Sequence, residues 1–465
     1  MADGEPNIVL IHSDQHRYDC IGANGHPLIE TPSLDRLARE GINFRQAYCP
    51  IPLCVPARNS LFHGQWSVAH LCVANWDTEA PRPPPETLPT FSALLRDRGW
   101  NLGYVGKWHV HPEKNAQDPL YGFHEYVPEG QYTTWRQTRG LIPRPRRNRW
   151  FGESDPGISP QQSRLAWGAD HAIRMIENWA TAEAPFFVRW DPSEPHLPNV
   201  VPEPYASMYD PETIPPWPSY PDELSGKPYV QRQQRRTWQI EQWQWRDWAP
   251  VVARYLGDIT LLDVQIGRIL AALDRLGIAE NTLVIYTSDH GDMCGGHGMI
   301  DKHFIMYDDV VRVPLIMRWP AAIPAGRNCE AFVTHSLDLA ATFCDLAAVP
   351  RPETFQGESL LPLMGGAVDN GREDIFAMYH GNQFGLFSQR MVRDRRWKYV
   401  WNATALDEFY DVQNDPGELR NLARTPAYAG ELQRLRRRLV IWMEAANDRL
   451  LNPWTRKQIL EGLTE

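Results

Sequence analysis

Short apolar runs alternate with longer amphipathic ones along most of this chain. Asn7 to His12 is a continuous β-branched run and predicts a strand buried on both faces, ending in Ser13-Asp14-Gln15-His16. Thr31 to Gly41 predicts a helix with Thr31 as cap, Pro32 in the first turn and Gly41 at the exit. Ile42 to Ala47 reads as a strand, and a helix is expected to begin near Pro56. Leu88 to Arg98 reads as helix and Leu102 to Val105 as a strand leading to Gly106-Lys107-Trp108-His109. A capped helix from Ser159 and Pro160 to about Ala182 precedes strand Phe186 to Trp190. The clearest helix carries Tyr255, Ile259, Leu262, Ile266, Ile269, Leu270 and Leu273 at 3.6-residue spacing. Strand Thr282 to Thr287, strand Val313 to Met317 and helix Ser336 to Ala347 continue the alternation.

Two stretches break it. Residues 112–158 and 198–245 dissolve into Pro, Gly, Trp and Arg without periodicity and read as long surface insertions. After about residue 366 the pattern changes to paired antiparallel strands (Arg390 to Arg393, Lys398 to Trp401) and a polar helix from about Gly430 to Arg449. The expected fold class is therefore α/β: a large domain, 1–365, with a mostly parallel sheet flanked by helices. A small α+β C-terminal subdomain with an antiparallel sheet, 366–465, would follow.

Composition narrows the function. With 465 residues, two units are a natural division. A net charge of −10 and a pI near 5.9 exclude a general nucleic-acid binder. An anionic substrate then needs a local cluster of positive charge. No apolar run reaches the ~18 residues that span a bilayer, so no membrane partner is expected. Cysteines at 20, 49, 54, 72, 294, 329 and 344 form neither a zinc spacing nor a dense disulfide framework. No leader is visible before Asn7, which points to the cytoplasm, or to periplasm or secretion if a leader has been removed.

Ligands of an open parallel sheet sit beyond the carboxyl ends of its strands. Four predicted strand ends carry chemistry: Asp14-Gln15, Lys107 with His109, His196, and Asp289-His290. Asp14, Gln15, Asp289 and His290 offer the oxygen and imidazole donors suited to calcium or manganese. Cys54-Val55-Pro56-Ala57-Arg58, read alone, is a structural thiol in a proline-rich turn.

Read together, Ser13-Asp14-Gln15, Cys54-Val55-Pro56-Ala57-Arg58, Gly106-Lys107-Trp108-His109, Pro195-His196, Thr287-Ser288-Asp289-His290-Gly291 and Gly296-His297-Gly298 to Lys302 resemble the ordered motifs of type I sulfatases, in the alkaline phosphatase superfamily. The similarity continues through Arg312 to Pro320, Arg396 to Val400 and Phe409 to Val412. The resemblance implies an alkaline phosphatase-like fold and a hydrolase of sulfate monoesters, aryl or carbohydrate. It implies that a formylglycine-generating enzyme converts Cys54 to formylglycine, whose hydrate attacks sulfur with one hydroxyl and eliminates sulfate with the other. Pro56 and Arg58 belong to the motif read by that enzyme, and Arg58 then orients the nucleophile. His109 matches the base for elimination, and His196 matches a sulfate-binding acid with Lys302 as its rival. Lys107 and Lys302 add fixed charge around the sulfuryl oxygens. Asn75 and His303 are further substrate-binding candidates.

Gln15 and His290 depart from the commoner aspartate and asparagine. They resemble choline sulfatases and phosphonate monoester hydrolases, which leaves both Ca2+ and Mn2+ open. A phosphonate monoester or phosphodiester hydrolase is therefore the alternative, and an inactive binding protein a further one. The expected partner is a small-molecule or oligosaccharide sulfate ester, and a homo-oligomer is compatible. His12, His16, His63, His111 and His335 are read as loop or packing residues. The run Arg144-Pro145-Arg146-Arg147-Asn148-Arg149-Trp150 reads as solvated surface, although insertions supply substrate subsites in this family.

Overall fold

The computed structural model describes residues 5–76, 82–145, 150–366, 371–381 and 385–462. The main sheet contains β1 (Asn7–Ser13), β2 (Ile42–Tyr48), β3 (Asn101–Gly106), β4 (Glu125–Pro128), β5 (Phe186–Asp191), β6 (Thr282–Ser288), β7 (Leu315–Arg318) and β8 (Arg327–Thr334). Their order across the sheet is β8-β2-β7-β6-β1-β5-β3-β4. Every pairing is parallel except those of β7, which runs antiparallel to β2 and β6. The alternation predicted from apolar runs is present, and β1 sits at its centre.

Strand pleating separates the two faces. Val9 and Ile11 of β1 pack with Leu262, Ile266 and Met175, whereas Ile8 and Leu10 pack with Leu61, Phe62 and Phe343. The first set brings in helices α5 (Arg164–Trp179) and α7 (Trp245–Arg275), and the second α2 (Cys54–His63) and α8 (His335–Leu346). Both sets belong to the α-helices longer than four residues, α1 (Pro32–Glu40), α2, α3 (Phe91–Asp97), α4 (Gln131–Thr138), α5, α6 (Tyr229–Thr237), α7, α8, α9 (Ala429–Ala445) and α10 (Pro453–Glu461). The C-terminal sheet, β9 (Ile375–Gly381), β10 (Phe387–Arg393), β11 (Trp397–Asn402) and β12 (Glu408–Asp411), is antiparallel throughout. Its apolar face joins the same cluster as Phe62 and Phe343 through Met391 and Tyr399, and α9 joins it through Leu439.

Three local expectations need correction. The 112–158 segment is not wholly irregular: β4 adds an edge strand to β3, and α4 follows it. Glu125 to Pro128 is too short and too exposed to show a buried-strand pattern. Likewise the 198–245 segment contains α6, and α7 starts at Trp245, ten residues before the first periodic apolar position. Pro250 is its sixth residue, past the first turn, so the helix forgoes the bond an amide there would make to the Arg246 carbonyl. Helix α2 begins at Cys54 itself rather than near Pro56, with Leu53 as its extended N-cap residue. Arg146 to Arg149 of the basic run lie outside the described residues.

Candidate active site

Adjacent strands β6, β1, β5 and β3 deliver the predicted chemistry to one sheet edge. Asp14, Cys54, Asp289 and His290 each point one ligand atom into a common space, all within 4.8 Å of one another. All four are buried, so their charges interact through protein rather than water. His290 Nδ1 lies 2.9 Å from the Gly291 carbonyl, which turns Nε2 toward Cys54 Sγ at 3.2 Å. Asp289 Oδ1 accepts from the amides of Gln15 (3.1 Å) and His290 (2.9 Å), while its buried Oδ2 accepts no hydrogen bond. Two carboxylates and one imidazole within this space suit a hard or borderline divalent cation, so the residues present fit the implied metal.

Arg58 balances this acid cluster. Its guanidinium contacts Asp14 (2.8 Å), Asp289 (3.1 Å) and Asp191, and it is completely buried. Asp191, at the end of β5, also accepts from Arg189 (2.7 Å twice) and Tyr104 (2.8 Å). Burial would raise the Asp191 pKa, but Arg189 and Arg58 overcome it and hold the carboxyl well below the usual range. Lys107 Nζ donates to Asp14 Oδ2 at 2.7 Å. Burial opposes the Asp14 charge, yet Lys107, His196, Arg58 and His290 together keep that carboxyl ionised.

Position 54 therefore sits in positive potential within an acidic protein. Burial and Asp14 push the Cys54 thiol up, but Lys302, Lys107 and His290 outweigh them and hold it well below the ordinary thiol value. Its place in the first turn of α2 adds the positive end of that helix dipole. The thiol stands where the resemblance puts a different oxygen nucleophile, so what carries over is the field, which favours an anion at this atom.

Lys302 Nζ bridges Gln15 Oε1 (2.8 Å) and His196 Nε2 (2.5 Å), and His196 Nδ1 is tied to the Leu197 carbonyl (2.6 Å). Burial works against the Lys302 charge, but Asp301, Cys54 and Asp14 raise its pKa. Gln15 stands beside the four-residue cluster with its amide already engaged: Nε2 donates to Asp292 (2.5 Å) and Asp301 (3.2 Å). His109 and His303 line the same cavity, and His303 Nε2 lies 3.2 Å from Asp301. Asn75 Oδ1 accepts from the Val55 amide at 3.1 Å, at the start of α2.

The cavity over residue 54 has a volume of about 330 Å³. Cys54, Lys107, His109, His196 and Lys302 line it, together with the half-exposed Trp150, Trp238 and the buried Tyr379 and Gly381. Sequence reasoning assigned no role to Asp191, Asp292 or Asp301. The first ends a buried strand, as Asp14 and Asp289 do, and that signal was available. Tyr379 and Gly381 arrive from β9 of the C-terminal sheet, and nothing local to them marks a site.

The sulfatase family profile matches residues 6–349, and that of the N-sulphoglucosamine sulphohydrolase C-terminal region matches 295–445. The chain belongs to the sulfatase family. Among relatives of this sulfatase, an arylsulfatase of Clostridium perfringens is 29% identical over 96% of this chain and 95% of its own. The multifunctional alkaline phosphatase superfamily protein PehA of Trinickia caryophylli is 28% identical, with 98% of each chain covered. A phosphonate monoester hydrolase of Agrobacterium radiobacter superposes with a TM-score of 0.81 at 26% identity, covering 95% of this chain and 96% of that one. The sulfatase and its neighbours thus share the alkaline phosphatase-like fold. Among the described residues, no helix is long and apolar enough to cross a membrane.

Proposed function

We propose that this sulfatase hydrolyses an organic sulfate monoester, with formylglycine made from Cys54 as its nucleophile and one divalent metal beside it. The observation that carries this reading is the convergence of Asp14, Cys54, Asp289 and His290 within 4.8 Å, flanked by Lys107 and Lys302. Asp14, Asp289 and His290 would hold the metal, with Gln15 at its edge, and calcium and manganese both suit them. When bound, the metal would polarise the nucleophile and offset charge on the sulfuryl oxygens.

The remaining roles belong to the chain's own side chains. Arg58 fixes both metal-binding carboxylates and so sets the angle at which residue 54 faces the cavity. Lys107 and Lys302 are preorganised cations on either side of the sulfuryl group, where charge changes most along the reaction. Lys302 Nζ and His196 Nε2 are 2.5 Å apart, and His196, with Lys302 as its rival, protonates the leaving oxygen. His109, with Nδ1 buried and unpartnered, takes the proton whose removal releases sulfate. Asn75 braces the first turn of α2, and His303 contacts the group beyond the ester.

The likeness to a phosphonate monoester hydrolase keeps a phosphonate monoester or phosphodiester substrate as the second reading. The retained Lys107 and His109 favour sulfate. Mass spectrometry of the peptide spanning residue 54 in active protein, together with kcat/KM for aryl sulfate, phosphodiester and phosphonate esters, tests both. Fully unmodified Cys54 in active enzyme sinks the formylglycine mechanism. Higher efficiency on the phosphonate ester reverses the substrate ranking.

A further inference from the structure

His196 sits inside a closed turn. Its amide donates to the Ser193 carbonyl at 2.9 Å, and Asn199 Nδ2 donates to the Pro195 carbonyl, also at 2.9 Å. The second bond is a clasp around His196, Leu197 and Pro198. The Leu197 carbonyl inside it holds His196 Nδ1 at 2.6 Å. A shift of the clasp therefore carries the imidazole with it.

The clasp is anchored to a helix. The same Asn199 Nδ2 donates to Asp258 Oδ2 at 3.0 Å, and among the described residues Asn199 is the side chain that donates to Asp258. Asn199 and Asp258 are both buried, and Asp258 belongs to α7. Three residues earlier in α7, Tyr255 holds a second loop of the site. Its hydroxyl donates to the Gln15 carbonyl at 2.7 Å and accepts from the Arg17 amide at 2.9 Å. Residues three apart on a helix share a face. Gln15 Oε1 and His196 Nε2 are the two atoms that Lys302 Nζ bridges, at 2.8 and 2.5 Å. One face of α7 thus holds both ends of that bridge.

Asp258 is costly to place there. Burial and Glu194 push its carboxyl up to about 7, with Arg144 and Arg164 opposing them. The start of the turn is held without it: Ser193 donates to Glu129 at 2.8 Å, and Glu194 accepts from Arg164 at 2.9 Å. Those contacts stop two residues short of the histidine. Beyond it, the Glu153 amide fixes the Asn199 carbonyl at 3.0 Å, which leaves the Asn199 side chain to set how the enclosed turn lies.

We propose that Asn199 and Asp258 are positioning residues for His196, holding its imidazole where its proton meets the leaving oxygen. As the ester S–O bond breaks, its electron pair goes to the leaving oxygen, which takes the His196 proton and departs as an alcohol or phenol. The inference rests on the reading of His196 as the acid and extends it to two residues outside the lining of the cavity.

The test is leaving-group dependence in the metal-loaded, formylglycine-containing enzyme. 4-Nitrophenolate departs readily as an anion, whereas phenolate is a stronger base and depends on the acid. His196→Asn should lower kcat/KM for phenyl sulfate about 100-fold more than for 4-nitrophenyl sulfate. Asn199→Ala and Asp258→Ala should each lower it about tenfold more, while Asp258→Asn, which keeps an acceptor for Asn199, should stay within about threefold. In the His196→Asn background, Asn199→Ala should leave the ratio of the two esters unchanged. Equal losses on both esters, the mark of a merely structural role, overturn the inference, as does a ratio that Asn199→Ala still shifts once His196 is gone. A ratio unmoved by His196→Asn removes the acid role from His196 and the inference with it, although turnover of either ester keeps the sulfate-ester reading. Placement is also read without turnover, from the His196 Cε1–H NMR resonance identified by its loss in His196→Asn. It should move in both alanine variants, and an unmoved resonance overturns the inference. Failure of the wild type on both esters counts against the sulfate-ester reading instead.

Discussion

Asp191→Asn removes one negative charge from the centre of the site while leaving the shape of the side chain nearly intact. Arg58 retains Asp14 and Asp289 after the change. Arg189 does not fare as well, since Asp191 is its only carboxylate partner among the described residues and both its contacts are 2.7 Å long. Both residues are completely buried, and Arg189 Nη1 already lacks a partner. Breaking a buried pair from one side costs about 3–5 kcal/mol, because the remaining charge is uncompensated. At about 2.1 cal/mol/K per residue, the 465-residue chain has an unfolding entropy of roughly 1 kcal/mol/K. The variant should therefore melt about 3–5 °C below the wild type, followed by tryptophan fluorescence or calorimetry. Adding Arg189→Met removes the orphaned charge and should recover at least half of the loss, since replacing both partners of a buried pair is far cheaper than removing one. A melting point for Asp191→Asn within about 1 °C of wild type would refute the account. So would a double variant no more stable than the single one.

Divalent metal at ~100 times its dissociation constant should stabilise the folded protein by about 2.7 kcal/mol, or roughly 3 °C in Tm. Chelation should abolish this gain together with activity, and Asp289→Ala should be insensitive to added Ca2+ or Mn2+; a melting point that ignores both metals in the wild type contradicts the site. Burial holds His63 near 4 and His335 near 3 against an ordinary 6.5. The unfolded chain therefore binds more protons below pH 6.5, so their stabilising contribution is complete above that pH and is lost as pH falls toward 4 and 3. His63→Asn should make the urea midpoint less dependent on pH between 6.5 and 4.5, by up to about 1 kcal/mol per pH unit, and an unchanged slope would show that His63 is not buried neutral. Gly106 has φ +108, and a Cβ there would lie 2.1 Å from the Asp191 carbonyl. Gly106→Ala should cost about 1–3 kcal/mol of stability and, by displacing Lys107, lower kcat/KM more than it raises KM; steady-state kinetics with wild-type values would show that the β3 exit tolerates a side chain.

The strand ends were legible because two signals coincide there. Asp14, Lys107, Asp191 and Asp289 all follow short apolar runs, and a parallel sheet sends the ends of such runs to one edge. The ordered motifs then tied Cys54 to that edge. What could not be read was direction at the scale of a side chain. Gln15 follows Asp14 by one residue, but its positive φ of 67 turns it away from its neighbour's path, and its amide bridges Asp292, Asp301 and Lys302. Helix α4, strand β4 and the first ten residues of α7 were hidden for a different reason. Each presents only a few apolar side chains, and to different neighbours: Tyr126 of β4 meets Tyr104 and Trp108, Tyr132 of α4 meets Trp167, and Trp248 of α7 meets Trp243, so they lack the stripe that a single core imposes.

That difference bears on how function divides along the chain. Most residues assigned to the ester are fixed by the sheet: Asp14, Lys107, His109, Asp289 and His290 lie within three positions of a strand end, whereas Cys54 opens α2 and Lys302 sits on the loop after β6. The rest of the cavity lining includes Trp150, Trp238 and Tyr379, which lie on two insertions and on the C-terminal sheet. Only the first group is constrained by β-strand geometry, so only the first leaves a periodic trace in sequence. The second group is held by aromatic packing between segments far apart in the chain, as between Trp150 and Trp238, so a substitution there leaves the strand-end residues in place. Reaction type was readable from the sequence for this reason, whereas the residues that line the cavity away from the sheet, such as Trp238 and Tyr379, were not.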